Sequence, residues 1–375
     1  MKFDNQLRYA TKIIEDYDGR VPLSAWLKDF YRANKQMGSR DRKTVSEMVY
    51  GFYRLGHNEF SSIEERIKAF IYISDSLPEI KAYFFPEGAQ PDEIAYDKIF
   101  PFKELLSEGI HAEEFSRSFL IQPDFFVRVR PGKKQSVIEK LVQNRINYEV
   151  CDENCIAFPN GTKIETVLDV NREVVVQDRS SQKTGAFIKK VYEEIKNHPT
   201  VWDCCAASGG KSIMTYDVMQ NINLTVSDIR NSIIENLIDR FSEAGILNYE
   251  SFVADLVSPN VKLPTALYDL IIADVPCSGS GTWARTPEQL YFFIKEKINF
   301  YSDLQRKIVS RIIPSMKEKG YLLYITCSVF AEENERLAEY ISKEHSLNLV
   351  RSELLKGYNN KADTLYAALF TNRSA

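Results

Sequence analysis

The sequence predicts an α/β chain: a doubly wound, mostly parallel sheet from about residue 171 to 375, preceded by a helical region over 1–118 and a small α+β module over 119–170. Three observations lead there. Helical hydrophobic spacing runs through the first third of the chain, a strand–helix–strand pattern follows it, and apolar runs separated by helical patterns recur to the end.

A chain of 375 residues is long for one core and suits two or three domains. Its 44% hydrophobic and 27% charged residues are ordinary for a globular protein. No stretch nears the roughly 20 consecutive apolar residues of a membrane span, so no membrane partner is expected. The start, Met1-Lys2-Phe3-Asp4-Asn5-Gln6, carries no apolar signal core, which predicts a cytoplasmic protein. Six cysteines do not make a disulfide scaffold at this size. Cys151 and Cys155 form one C-x3-C pair in a chain with four histidines, so no metal site is expected. The thiols are read as reduced and free for chemistry. The net charge of −4 is low for a nucleic-acid binder, although local clusters set the field that a partner meets.

Taken in order, Leu7, Ala10, Ile13, Ile14 and Tyr17 share one helical face. Trp26, Leu27, Phe30 and Tyr31 form a second set, and Val45, Met48, Val49, Phe52 and Tyr53 a third. Between the last two sets lies a basic turn holding Arg32, Lys35, Arg40, Arg42 and Lys43. It suits a solvated loop with Ser39 or Asp41 capping the next helix, and equally a contact with RNA phosphates. Pro78, Pro86, Pro91 and Pro101 punctuate a looser stretch. Residues 125–130 alternate like a strand, 136–143 read as a short helix and 148–150 as another strand. Here Arg128, Arg130, Lys133, Lys134, Lys140 and Arg145 interleave with aromatics, a pattern that suits RNA or the solvated face of a small sheet. Strand-like runs then fall at 200–202, 224–226, 251–253, 270–272 and 321–325. Sheets of this kind bind ligands beyond the carboxyl ends of their strands.

The strand ends hold the informative residues. After the first comes Asp203-Cys204-Cys205-Ala206-Ala207-Ser208-Gly209-Gly210-Lys211-Ser212, whose small residues let a ligand approach the backbone ahead of a helix. A nucleotide phosphate loop needs a glycine five positions before Gly210, where Cys205 stands, so an ATPase is excluded. The next two strands end in Asp228 and Asp255, placed to accept hydrogen bonds from ribose hydroxyls. On these residues alone the chain is a methyltransferase or a dehydrogenase. The fourth strand ends in Asp274-Val275-Pro276-Cys277-Ser278-Gly279-Ser280-Gly281-Thr282. The fifth ends in Thr326-Cys327-Ser328, with Glu332-Glu333-Asn334-Glu335 following. Two cysteines in polar turns at neighbouring strand ends have no packing reason to be sulfur.

These runs, with Gln177-Asp178-Arg179-Ser180-Ser181-Gln182 and the closing Asp363-to-Leu369 segment, resemble the Nop/Sun (RsmB-like) RNA cytosine-5 methyltransferases. The resemblance is strong after residue 175. Further forward, Gly38-Ser39-Arg40-Asp41-Arg42 with Val49-Tyr50-Gly51 resembles the NusB-like helical segment of the bacterial ribosomal-RNA members, and the basic α+β unit resembles their RNA-recognition module. The resemblance implies a Rossmann-like methyltransferase domain that uses S-adenosyl-L-methionine and a monomer whose partner is RNA, 16S ribosomal RNA before transfer RNA. It implies a cofactor site made by Cys205, Ala206, Ala207, Ser208, Gly209, Gly210, Lys211, Asp228, Asp255 and Asp274. It assigns the nucleophile that adds to cytosine carbon 6 to Cys327; on chemical grounds Lys211 is the candidate cation beside that thiol, Asp274 the holder of the base edge, and Cys277 the aid to release of the methylated RNA. Arg40, Arg42, Lys43, Arg128, Arg130, Lys133 and Lys134 are the candidate RNA contacts.

Three positions depart from the family pattern. Ser208 stands where proline is usual, Ile233 where an arginine is usual, and Asp363-Thr364-Leu365 where Asp-Gly-Phe is usual. Two rival readings remain open at this point. One is a DNA cytosine-5 methyltransferase with Cys277 as nucleophile. The other is a catalytically silent RNA-binding assembly factor.

Overall fold

The computed structural model describes residues 2–86, 90, 91, 93–195 and 198–372. Residues 87–89 and 92 of the proline-punctuated stretch lie outside the described residues. The chain forms two compact units: Met1–Glu104 with His111–Gln122 and Thr282–Lys295, and Leu105–Ile110 with Pro123–Gly281 and Glu296–Ala375.

The first unit is helical, with α1 (Lys2–Asp16), α2 (Leu23–Ala33), α3 (Ser39–Arg54), α4 (Ile63–Ile73), α5 (Pro78–Phe84), α6 (Tyr96–Ile99) and α7 (Ala112–Ser118). Leu7, Ala10, Ile13, Ile14 and Tyr17 of α1 meet Val45, Met48, Val49, Phe52 and Tyr53 of α3 in one core, each buried aliphatic or aromatic side chain stabilising by roughly 1.5–3 kcal/mol. In α2 the buried face is Leu23, Leu27 and Tyr31, so the expected stripe is rotated, with Trp26 and Phe30 only partly buried. The expected cap also differs. Gly38 is the N-cap of α3, and Asp41, in its first turn, accepts Gln6 Nε2 at 2.7 Å.

The second unit opens with a small antiparallel sheet: β1 (Phe125–Val129), β2 (Glu149–Val150), β3 (Cys155–Phe158) and β4 (Val174–Val176) in the order β2-β3-β1-β4. Helix α8 (Lys134–Gln143) packs Val137 and Leu141 against Val127, Val129 and Ile156.

The larger sheet contains β5 (Thr200–Asp203), β6 (Asn223–Asp228), β7 (Tyr249–Val253), β8 (Tyr268–Asp274), β9 (Met316–Thr326), β10 (Asn348–Leu355) and β11 (Leu365–Thr371). Their order is β10-β11-β9-β8-β5-β6-β7. Only β11 runs against its neighbours β9 and β10. The connecting helices are α9 (Arg179–Lys183), α10 (Gly185–Glu194), α11 (Gly210–Met219) and α12 (Asn231–Ala244), and later α14 (Glu296–Ile312) and α15 (Glu335–Glu344).

Alternate residues of the central strands face two cores. Val201, Leu270, Ile272, Leu323 and Ile325 meet α10, α11 and α12. Trp202, Ile271, Ala273, Leu322 and Tyr324 meet α14 and α15. Burial on both faces is why these strands read as continuous apolar runs. The edge strand β10, mostly exposed, gives no such run and was not recognisable beforehand.

One excursion interrupts this unit. Helix α13 (Pro287–Phe292) belongs to the helical unit, where Tyr291 and Phe292 pack on Tyr53, and Phe292 also on Tyr17. The small sheet shares a unit with the large one, and 282–295 returns to the helices.

Candidate active site

The site is built at the carboxyl ends of the parallel strands, where the order reverses about β5. The turn after β5 enters α11 through two left-handed residues, Ala207 (φ 46°) and Gly209 (φ 80°). A Cβ at Gly209 would stand 2.7 Å from the Phe241 ring, so the turn needs glycine for conformation and for space. Backbone bonds hold it: Ala206 N–H donates to Ser227 O at 2.9 Å, and Gly209 N–H to Ala206 O at 2.8 Å. Asp228, buried at the end of β6, accepts Ala207 N–H at 3.1 Å and Arg230 N–H at 3.0 Å.

A cavity of about 430 Å³ opens beside this turn, lined by Cys205, Ala207, Asp228, Asp255, Asp274, Pro276, Cys277 and Cys327 among others, with Ile229, Leu256, Leu304 and Ile308 as its apolar side. Ala206 and Gly209 are buried behind its wall, and Gly210 starts α11. Ser208, at the position of the usual proline, is exposed, and its Oγ and carbonyl accept Arg240 Nη1 at 2.8 and 3.0 Å. The Ser208 hydroxyl is thus an acceptor for a neighbouring helix.

Beyond β8 and β9 the two cysteines meet. Cys277 Sγ and Cys327 Sγ lie 3.1 Å apart in a thiol–thiol hydrogen bond, and both are free; a disulfide needs about 2.05 Å. The hydrogen bond with Cys327, and then burial, push the Cys277 thiol well up. Gly281 explains part of this convergence. Its N–H donates to Cys327 O at 2.9 Å and its carbonyl accepts Thr364 N–H at 2.9 Å. A Cβ there would fall 1.9 Å from Thr364 O. The closing segment, which departs from Asp-Gly-Phe, is therefore pinned to the cysteine turn through backbone.

Lys211 Nζ reaches Asp274 Oδ2 at 2.5 Å and Ser181 Oγ at 3.4 Å. Burial alone would push the ammonium down, but Asp274, Asp203 and Cys327 hold it above its ordinary value. The direct partner of Lys211 is thus Asp274, while Cys327 acts on it through charge. Asp203 lies behind them, fully buried. Its Oδ2 accepts Ser212 Oγ at 2.6 Å and its Oδ1 has no hydrogen-bond partner. Burial pushes its carboxyl up to about 7. The wider support has no role assigned by the sequence, although all of it except Gln305 stands in the quoted runs. It comprises Glu333, Gln305, Ser278 and Ser328 around the cysteines, and Ser181 and Gln177 behind Lys211. Glu333 stood within a recognised run, whereas Gln305, inside an ordinary helix, carried no signal.

Two of the candidate RNA contacts are corrected. Arg128 and Arg130 are not a free basic face. Arg128 Nη1 bonds Asp217 at 2.6 Å and its Nε bonds Gln177 at 2.9 Å, and Arg130 Nη2 bonds Asp217 at 2.8 Å. Their side chains are only 9% and 12% exposed, so these ion pairs tie the small sheet to α11. Arg42 is half-buried, with its Nε donating to Met37 O at 2.8 Å. Arg40, Lys43, Lys133 and Lys134 are exposed. Among the described residues, no group of three His, Cys, Asp or Glu is arranged to hold a metal, and no helix is long and apolar enough to cross a membrane.

This constellation has relatives. A family model described as 16S rRNA methyltransferase RsmB/F matches residues 191–369. The probable ribosomal RNA small subunit methyltransferase B of Synechocystis sp. is 31% identical over 341 residues, 88% of this chain and 70% of that protein. The Bacillus subtilis protein of the same description is 27% identical over 62% of this chain, a match that spans about half (52%) of its length. The crystal structure of PH0851 covers 97% of this chain and 98% of its own, with a TM-score of 0.70 at 19% identity, a likeness of fold. With the sheet, the paired strand-end cysteines and a relative matched over most of its length, the chain belongs to the RsmB/F family of 16S rRNA methyltransferases.

Proposed function

We propose that this chain methylates carbon 5 of a cytosine in small-subunit ribosomal RNA, with S-adenosyl-L-methionine as methyl donor and Cys327 as nucleophile. The observation that carries the reading is the pair of sulfurs 3.1 Å apart in one cavity with Asp228 and the left-handed turn. The descriptions of the relatives support ribosomal RNA as substrate.

The cavity suits the donor. Its volume lies in the usual range for a cofactor site, roughly 300–1,000 Å³. Asp228 and Asp255 offer carboxylates for ribose hydroxyls, and Ile229, Leu256 and Ile308 an apolar side for a purine. When bound, the donor supplies an electrophilic methyl group on a sulfonium.

The chain's own residues do the rest. The target base leaves its stack to enter the cavity. The Cys327 thiolate adds to carbon 6, and the electrons of the carbon 5–carbon 6 double bond move to carbon 5, which would bond the methyl group as its bond to the sulfonium breaks and that electron pair stays on sulfur. Asp274 binds the N3/N4 edge while Lys211 holds that carboxylate and supports the thiolate by charge. Transfer of the carbon 5 proton to water then returns the electrons to the ring and breaks the carbon 6–sulfur bond, releasing the Cys327 thiolate. Cys277, kept protonated, assists that release. Arg40, Lys43, Lys133 and Lys134 offer cations to RNA phosphates.

Replacing each cysteine by alanine tests the assignment, using bisulfite sequencing of RNA from a strain lacking the gene and complemented with each variant. Cys327→Ala is expected to leave the target cytosine unmethylated. Cys277→Ala is expected to accumulate a covalent protein–RNA adduct on denaturing gels. The opposite pattern would assign the nucleophile to Cys277 and sink the proposal. Failure to bind S-adenosyl-L-methionine at millimolar concentration by calorimetry would favour a silent assembly factor.

A further inference from the structure

We infer that Glu333 is the positioning residue that holds the two cysteine turns together and favours Cys327 over Cys277 as the reacting sulfur. The side chain is fully buried between the turns. Glu333 Oε2 accepts Ser278 N–H at 2.8 Å, the residue after Cys277, and Glu333 Oε1 accepts Ser328 Oγ at 2.7 Å, the residue after Cys327. One carboxylate therefore bridges the positions that follow both sulfurs.

Gln305 closes the clamp. Its Nε2 donates to Glu333 Oε2 and to Pro276 O, each at 3.0 Å, so Cys277 is tethered on both sides. Tyr324 fixes the far end, its hydroxyl donating to the Glu333 carbonyl at 2.7 Å. Both carboxyl oxygens accept from a donor, an arrangement that suits a carboxylate and that an amide cannot reproduce.

The charge has a second effect. A buried anion disfavours a second anion beside it, and Glu333 is among the groups that push the Cys277 thiol up. The other groups facing Cys277 are Cys327 just past β9, Tyr324 on β9 and Tyr301 on α14, with Asp274 lining the same cavity. The tyrosines are themselves held protonated by burial. Burial raises the Glu333 carboxyl, while the hydrogen bonds from Ser278, Ser328 and Gln305 favour its charged form beside Cys277.

The assignment of catalytic roles rests on the cytosine-5 reading; the clamp does not. Its test is iodoacetamide alkylation of the full chain, without RNA or cofactor, with each cysteine followed by peptide mass spectrometry from pH 6 to 10. In the unaltered protein Cys327 is expected to react first at every pH. In Glu333→Gln the alkylation of Cys277 at pH 8 is expected to rise at least about tenfold, the direction that loss of a neighbouring anion gives. If circular dichroism shows that variant unfolded, Ser328→Ala replaces it, with a rise of at least about threefold expected as one tether is lost. Unchanged Cys277 alkylation in the folded variant overturns the proposal, even where methylation of RNA persists. Changed alkylation in a protein that methylates no cytosine supports the clamp and removes only the reading of the reaction.

Discussion

The two rims of the cavity are built by different means. The cysteine rim is held by buried side chains, in which Glu333, Gln305, Ser278, Ser280 and Ser328 bond one another around Cys277 and Cys327. The glycine rim is held by backbone, through two left-handed residues and the N–H groups given to Ser227 and Asp228. The proposed function makes a different demand on each rim. A reacting sulfur has to be held to a fraction of an ångström, which takes many side-chain contacts. A surface that accepts a cofactor needs close approach to main chain, which takes small residues and open backbone.

That contrast can be broken most strongly at Gly281. Gly281→Ala places a methyl group 1.9 Å from Thr364 O. It is expected to cost about 3 kcal/mol or more, read as a lower midpoint in chemical denaturation. It should also disturb cysteine alkylation, because Gly281 N–H bonds the Cys327 carbonyl. Gly209→Ala attacks the other rim. Its strain and the contact with Phe241 are expected to cost about 1–3 kcal/mol, lowering cofactor affinity in calorimetry while the relative reactivity of the two thiols stays as it was.

Asp228→Ala sharpens the comparison further. Losing its acceptor role toward Ala207 N–H should weaken cofactor binding by about 10- to 100-fold, with iodoacetamide profiles of Cys277 and Cys327 unmoved. A simultaneous change in both readouts would mean that the rims are not separable.

Asp203, behind both rims, makes a pH prediction. Burial raises its folded-state carboxyl from the ordinary carboxylate range to about 7, so the native state holds the proton more tightly than the unfolded chain. The resulting stabilisation is full below about pH 4 and is lost as the pH rises through about 7. Thermal melts of the native protein and Asp203→Asn at pH 5 and pH 8 should show the variant gaining relative to the native protein at pH 8. Equal differences at both pH values would refute the assignment. The smallest effect is expected at Ser208. Ser208→Ala removes one of two acceptors for Arg240 Nη1 and leaves the carbonyl, a change of under about 1 kcal/mol in denaturant unfolding.

The sequence was informative where local pattern and chemistry coincide. The strands β5, β6, β8 and β9 were legible because burial on both faces makes them unbroken apolar runs, and the residues past their ends were legible as polar turns with misplaced sulfur. Edge strand β10, exposed over most of its length, has no such signature. Basic residues misled at Arg128 and Arg130, since alternation along β1 cannot say whether an outward arginine meets solvent or the buried Asp217 of a distant helix.

By itself, then, the sequence determined the sheet, the strand-end motifs and the identity of both cysteines, because strand periodicity and turn chemistry act over a few residues. Tertiary structure alone decided that Glu333 and Gln305 clamp those cysteines, that 282–295 joins the helical unit, and that Arg128 and Arg130 serve the fold. Each of these brings together groups dozens to hundreds of residues apart. Such pairings are set by how packed elements converge in space, which no short stretch of chain encodes.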